Sequence, residues 1–67
     1  MKYIVILEKN EKGCGPIYRA TWPGDPGRTF IKQNAKRFNT LLGAEKAIRF
    51  ARGYRPFINA EIEAVEE

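Results

Sequence analysis

The run Lys2-Tyr-Ile-Val-Ile-Leu-Glu8 constrains this chain more than any other stretch. Side chains alternate between the two faces of a strand, so a half-buried strand alternates apolar with polar residues. Here Tyr3, Val5 and Leu7 fall on one face and Ile4 and Ile6 on the other, and both faces are apolar. Such a strand belongs in the middle of a sheet. The same run, apolar from Tyr3 to Leu7, is too short to span a membrane or to form the apolar stretch of a secretion signal.

The other elements arrange themselves around that strand. Lys9 to Pro16 is a turn-rich connection. Residues 17–22 and 28–33 are strand-like and flank Pro23-Gly-Asp-Pro-Gly27, which predicts an antiparallel hairpin. If Trp22 faces Arg28, then Tyr18, Ala20, Trp22, Arg28, Phe30 and Lys32 share one face. Ile17, Arg19, Thr21, Thr29, Ile31 and Gln33 share the other. Thr40 is a good N-cap for a helix over residues 41–54. Leu41, Ala44, Ala47, Ile48, Ala51 and Tyr54 lie on its apolar side, and Phe50 borders that arc. Gly53 and Pro56 stop the helix. Residues 57–65 alternate Ile58, Ala60, Ile62 and Ala64 with Asn59, Glu61 and Glu63, a strand with one solvent face. Glu61 and Glu63, with Glu66 and Glu67 beyond, discourage edge-to-edge pairing.

The predicted fold is α+β: a single domain of order β-β-β-α-β, with a four-stranded sheet in the order 3-2-1-4 and one helix on one face. At 67 residues it is one small domain with a small core, since chains of this length bury only ~60% of their unfolded surface. No repeat, linker or low-complexity segment interrupts it.

Charge is strongly segregated. Residues 28–55 carry Arg28, Lys32, Lys36, Arg37, Lys46, Arg49, Arg52 and Arg55 against Glu45 alone. The last twelve residues carry only acids, Glu61, Glu63, Glu66 and Glu67. The chain's formal net charge is +4. A basic segment of this kind concentrates anionic macromolecules. On a helix, Lys46, Arg49 and Arg52 form a ridge that Arg55 extends, with Lys36 and Arg37 ahead of the cap. Such a ridge can track phosphates or dock in an acidic protein groove. The plainer reading is a solvated face, where a Glu45–Arg49 pair adds only ~0.3–0.5 kcal/mol.

Tyr18, Trp22 and Phe30 interleave with Arg19, Arg28 and Lys32. Rings beside cations suit single-stranded nucleic acid, because bases stack while cations hold the backbone. Against that, large rings fill space well opposite a helix lined with alanine, so core packing is the first expectation. Trp22 and Arg28, beside the hairpin loop, are then the exposed members with an interface role, since Trp and Arg are enriched in binding hot spots.

Catalytic chemistry has few players here. Histidine is absent and Cys14 is the single cysteine, which rules out His-based nucleophilic pairs, disulfides within the chain and multi-Cys zinc sites. A lone thiol fits a reducing, cytoplasmic setting. Cys14 sits in a Gly-Cys-Gly turn with only Lys12 near it in sequence, and the phosphate-loop fingerprint is missing. Glu61 and Glu63 share a strand face without the burial that splits an acid–base pair, and Asp25 lies in a loop. The expectation is a non-enzymatic protein that uses no cofactor or metal.

The stretch Asn34-Ala-Lys-Arg-Phe-Asn-Thr-Leu-Leu-Gly-Ala-Glu-Lys-Ala-Ile48, with its Ala35-x-x-Phe38-x-Thr40-x-x-x-Ala44-x-x-Ala47 spacing, resembles small accessory proteins of bacteriophages, prophages and mobile elements. In those a hairpin leads through an Ala-Lys/Arg-Arg-Phe-x-Thr turn to an Ala-rich helix and a final strand. The resemblance spans roughly residues 17–65 and brings no catalytic residue with it. It implies binding to a larger macromolecule, including inhibition of host or defence complexes.

Two functions follow. The first is a small binding protein whose partner-binding residues are Lys36, Arg37, Lys46, Arg49, Arg52, Arg55, Trp22 and Arg28, facing an acidic protein groove or nucleic acid. The second is direct, non-specific DNA or RNA binding, which a sequence pI of about 9.5 permits. Neither involves a membrane, and the expected state is a monomer or weak homodimer.

Overall fold

The computed structural model describes residues 1–10, 13–24 and 27–66. Lys12, Asp25 and Glu67, which enter the sequence argument above, lie outside them. The elements are β1 (Lys2–Glu8), β2 (Ile17–Arg19), β3 (Arg28–Thr29), a 3-10 turn (Lys32–Asn34), α1 (Leu41–Arg52) and β4 (Glu61–Val65). The sheet order is β3-β2-β1-β4 and every pairing is antiparallel, as the two-faced first strand predicts.

β1 is central because both its edges are occupied. β4 runs along one edge, from Lys2 opposite Val65 to Ile6 opposite Glu61. On the other edge β2 pairs only with the far half, Ile6 with Tyr18 and Glu8 with Ile17, across a bulge. Ile17 joins Val5 and Leu7 under the helix, while its neighbour Tyr18, on the alternate face, joins Ile4 on the opposite side. The long connection from β1 to β2 turns at Gly13 and Gly15, whose φ values of 77° and 95° suit glycine alone without strain.

The helix face of the core holds Val5, Leu7, Ile17, Ala44, Ala51 and Phe57. Helix-side alanines let α1 approach the sheet closely. The buried residues beneath are aliphatic, together with Phe57, and Tyr3 and Phe38 pack against them. The rings of the hairpin do not lie there, which corrects the expectation for Tyr18 and Phe30, while Trp22 is exposed as expected. The observed register sets Tyr18 opposite Thr29 and Arg19 opposite Arg28, not Trp22 opposite Arg28. That shift of three positions reverses the faces of one strand relative to the other. Tyr18 is buried on the back of the sheet, and Trp22 and Phe30 are exposed.

The hairpin is also shorter than its β-propensity predicts. β3 ends at Thr29, whose hydroxyl accepts a hydrogen bond from the Ile31 backbone N–H at 3.0 Å. This local side-chain bond replaces the ladder and starts a turn. Asn34 and Ala35 then donate to the Ile31 and Lys32 carbonyls, each at 3.0 Å, closing the 3-10 turn. Ala35 packs against Ile4 and Tyr18, so this segment supplies the second cover that a two-faced strand requires.

From Ala35 the chain returns to the helix side. Lys36 N–H donates to the Arg19 carbonyl at 2.8 Å, and Phe38 exchanges two bonds with Tyr3 at 2.9 and 2.8 Å. Both polar groups of Tyr3 point away from β4, so Phe38 occupies the edge of β1 that β2 has left. Phe38 packs against the helix-side cluster. Residues 35–38 therefore carry the chain from the back of the sheet to the front and deliver it to the helix cap.

α1 begins where predicted: the Thr40 hydroxyl accepts from the Gly43 N–H at 3.0 Å. It ends at Arg52, two residues earlier than its pattern predicts, with Gly53 as C-cap in right-handed geometry at φ −69°. Leu41 and Tyr54, placed on the apolar side by the pattern, are about half exposed. β4 is likewise shorter than residues 57–65. Phe57 turns inward to the core, whereas Ile58 is among the most exposed side chains. Among the described residues no helix is long and apolar enough to cross a membrane.

Candidate binding cleft on the helix flank

The basic residues of segment 28–55 do not form one surface. Successive positions of an α-helix turn by 100°, so Lys46, Arg49 and Arg52 spread over about 120° of its circumference. Lys46 lies on the flank that faces residues 35–38 and β2. Arg49 and Arg52 lie towards the opposite flank, where they line a second, smaller groove of about 240 Å³ with Glu45 and Ile48.

On the Lys46 flank is an open cleft of about 300 Å³ lined by Arg19, Lys36, Phe38, Gly43, Lys46, Ala47 and Phe50. Each wall has a structural cause. Arg19 points to the helix side because its neighbour Tyr18 fills the back. Lys36 and Phe38 share a side in the segment that crosses the sheet, and the Lys36 ammonium lies 5.3 Å from the Phe38 ring centroid. Gly43, Lys46, Ala47 and Phe50 are neighbours at three- and four-residue spacings on α1.

Among the described residues no carboxylate lines the cleft. Among the described residues Lys46 makes no ion pair, and the ion pairs between them are elsewhere, Lys9 with Glu61 and Lys32 with Glu63. Glu45 and Arg49 make no pair with each other. Arg19 is partly committed: its Nη1 donates to the carbonyls of Ala20 at 2.5 Å and Trp22 at 3.2 Å, which fixes the guanidinium on the hairpin. Phe50 at the rim is half exposed and held by Tyr54 edge-on, with centroids 5.1 Å apart and planes at 62°. Thus the cleft combines three cations with two rings.

The other sequence-nominated residues are placed differently. Arg37 lies on the back of the sheet, donating from Nη1 to the Ala35 carbonyl at 2.8 Å and the Lys32 carbonyl at 3.1 Å. Arg52 Nε donates to the Phe57 carbonyl at 3.1 Å, so this side chain fastens the loop after the helix as well as facing solvent. Arg55 lies over the Phe57 ring at 5.1 Å and is only partly exposed. Arg28 stands across the ladder from Arg19 on the same side of the hairpin. Trp22 is exposed beside it and is not a wall of the cleft. The structure thus brings Lys36 and Lys46 together and separates them from Arg37, Arg49, Arg52 and Arg55. Arg19, Phe38 and Phe50 complete the cleft. Their sequence signal, a cation or ring one face away from a buried neighbour, becomes readable only with the hairpin register.

Cys14 is exposed in the loop between β1 and β2. Among the described residues no group of three His, Cys, Asp or Glu is placed to hold a metal ion. Comparison with protein-family models, characterised proteins and solved structures returns no match to this chain.

Proposed function

We infer that this protein is a small non-enzymatic binding protein that docks an acidic macromolecule on the flank of its helix. The observation that carries this reading is the cleft in which Arg19, Lys36 and Lys46 converge with no carboxylate among its described lining residues. Holding like charges together costs free energy that an anionic partner relieves. The resemblance of residues 34–48 to phage-type accessory proteins supports the same reading and supplies a setting, occlusion of a larger host or defence complex. In that setting the protein is cytoplasmic and works as a monomer or weak homodimer without a cofactor.

The test compares Lys46→Glu with Arg49→Glu. Both residues are exposed on α1, and each substitution changes net charge equally. On a heparin column the Lys46 variant is expected to elute at clearly lower salt than the Arg49 variant. Equal elution would mean that the polyanion senses net charge alone, and the cleft reading would fall.

A further inference from the structure

We propose that the helix-flank cleft binds single-stranded nucleic acid, stacking one base on Phe50 while Lys36, Lys46 and Arg19 hold the adjoining phosphates. This rests on the reading of the cleft as an anion-binding surface and names the partner's class.

Three features separate a strand from other polyanions. The first is the ring. Phe50 is half exposed and meets Tyr54 edge-on, while α1 packs on the sheet-side core through Ala44, Ala47, Ile48 and Ala51. An exposed ring beside cations offers a stacking platform, which every unpaired base can use and a duplex cannot. The second is the distribution of cations. A duplex is gripped by charges spaced along its backbone. Here the ridge that would do so is broken: Arg52 and Arg37 are committed to backbone carbonyls, Arg55 lies on Phe57, and Arg49 is on the far flank. The cations at the cleft converge on one small volume instead. The third is scale. About 300 Å³ is the lower limit of ordinary ligand pockets and suits a nucleotide unit of a flexible strand better than a folded protein element. Among the described residues Lys46 has no carboxylate partner, and Arg19 makes its hairpin bonds through Nη1.

Fluorescence anisotropy at physiological salt decides the matter, with labelled oligo(dT), oligo(U), a hairpin duplex of equal length and a poly-glutamate peptide as probes. The full chain is used, and each variant is checked by far-UV circular dichroism. The expected result is that the single strands bind more tightly than the duplex and the peptide. Phe50→Ala is expected to weaken strand binding by roughly 5- to 150-fold, the equivalent of ~1–3 kcal/mol per stacked base. Phe50→Trp is expected to keep it. Phe50→Leu, which preserves bulk but not the ring, should lose as much as the alanine variant and serves if that one folds poorly. Wild-type affinity in both ring-less variants overturns the proposal, as do equal duplex binding, tighter peptide binding or no strand binding. Lys36→Glu/Lys46→Glu separates the two readings. If this pair abolishes polyanion binding while ring loss has no effect, the anion cleft stands and the strand proposal falls. If neither matters, both fall.

Discussion

At Gly27 a Cβ would sit 2.0 Å from the Trp22 carbonyl oxygen and 3.0 Å from Arg19 Nη1. The hairpin loop closes on this buried residue, since the Ala20 N–H also donates to the Gly27 carbonyl at 2.9 Å. Backbone cannot yield as a flexible side chain can. Gly27→Ala is therefore expected to cost ~1–3 kcal/mol, the usual penalty for forced overpacking, and a shifted urea midpoint at unchanged slope would register it. Because Arg19 is held by the same loop carbonyls, the variant should also loosen one wall of the cleft. In the sequence this glycine looks like any member of a Pro/Gly turn. Its special constraint arises from where the Trp22 carbonyl lies.

Among the elements, α1 is the one most fully specified locally. Thr40, the apolar arc and Gly53 all announce it, and its cap geometry is as expected. Thr40→Ala should lower stability by ~0.5–2 kcal/mol and Thr40→Ser by much less, measured by thermal melting of the helical signal. The 3-10 turn is the opposite case. It is held to β4 by Lys32 and Glu63, 2.5 Å apart, across the back of the sheet. The hydrogen bond to Glu63, and then its charge, raise the Lys32 ammonium above the ordinary lysine range. A raised value in the fold means that the contribution is complete below the unfolded lysine pKa and is lost as pH rises through the folded one. The stability gap between wild type and Glu63→Gln is thus expected to stay level through neutral pH and to close in strong alkali. Urea midpoints measured across that range check this, and a gap that persists in strong alkali would contradict the assignment.

At the scale of the whole molecule, the sheet needs cover on two sides, and a chain of 67 residues supplies only one helix. The second cover is eight or so residues of turn and extended chain, pinned by one small side chain, Ala35, which is 2% exposed against Ile4 and Tyr18. Ala35→Glu places a carboxylate there. The penalty for an unpaired buried ion is several kcal/mol, comparable with the whole stability of so small a domain. The variant is expected to lose its near-UV signal and bind a hydrophobic dye at neutral pH, whereas Asn34→Glu, at an exposed neighbour, should behave as wild type. Retention of the native signal in Ala35→Glu would show that the back of the sheet is not sealed by this segment.

The sequence by itself determined the central strand, the helix with its cap, the strand order and the single-layer α+β plan, because each follows from a local period of two or 3.6 residues or from a capping side chain. It also determined that positive charge is concentrated in residues 28–55. Only the tertiary structure decided which face each charge occupies. The hairpin register, the bulge at Ile6 and Glu8 and the early end of β3 at Thr29 are all choices of one or a few residues, and in a structure of period two an odd shift moves a side chain to the other side of the sheet. Those choices put Tyr18 on the back and Arg19 on the front. They also brought Lys36 beside Phe38 and Lys46, and sent Arg37 behind the sheet. A linear charge pattern cannot carry that information, because it depends on contacts between residues far apart in the chain.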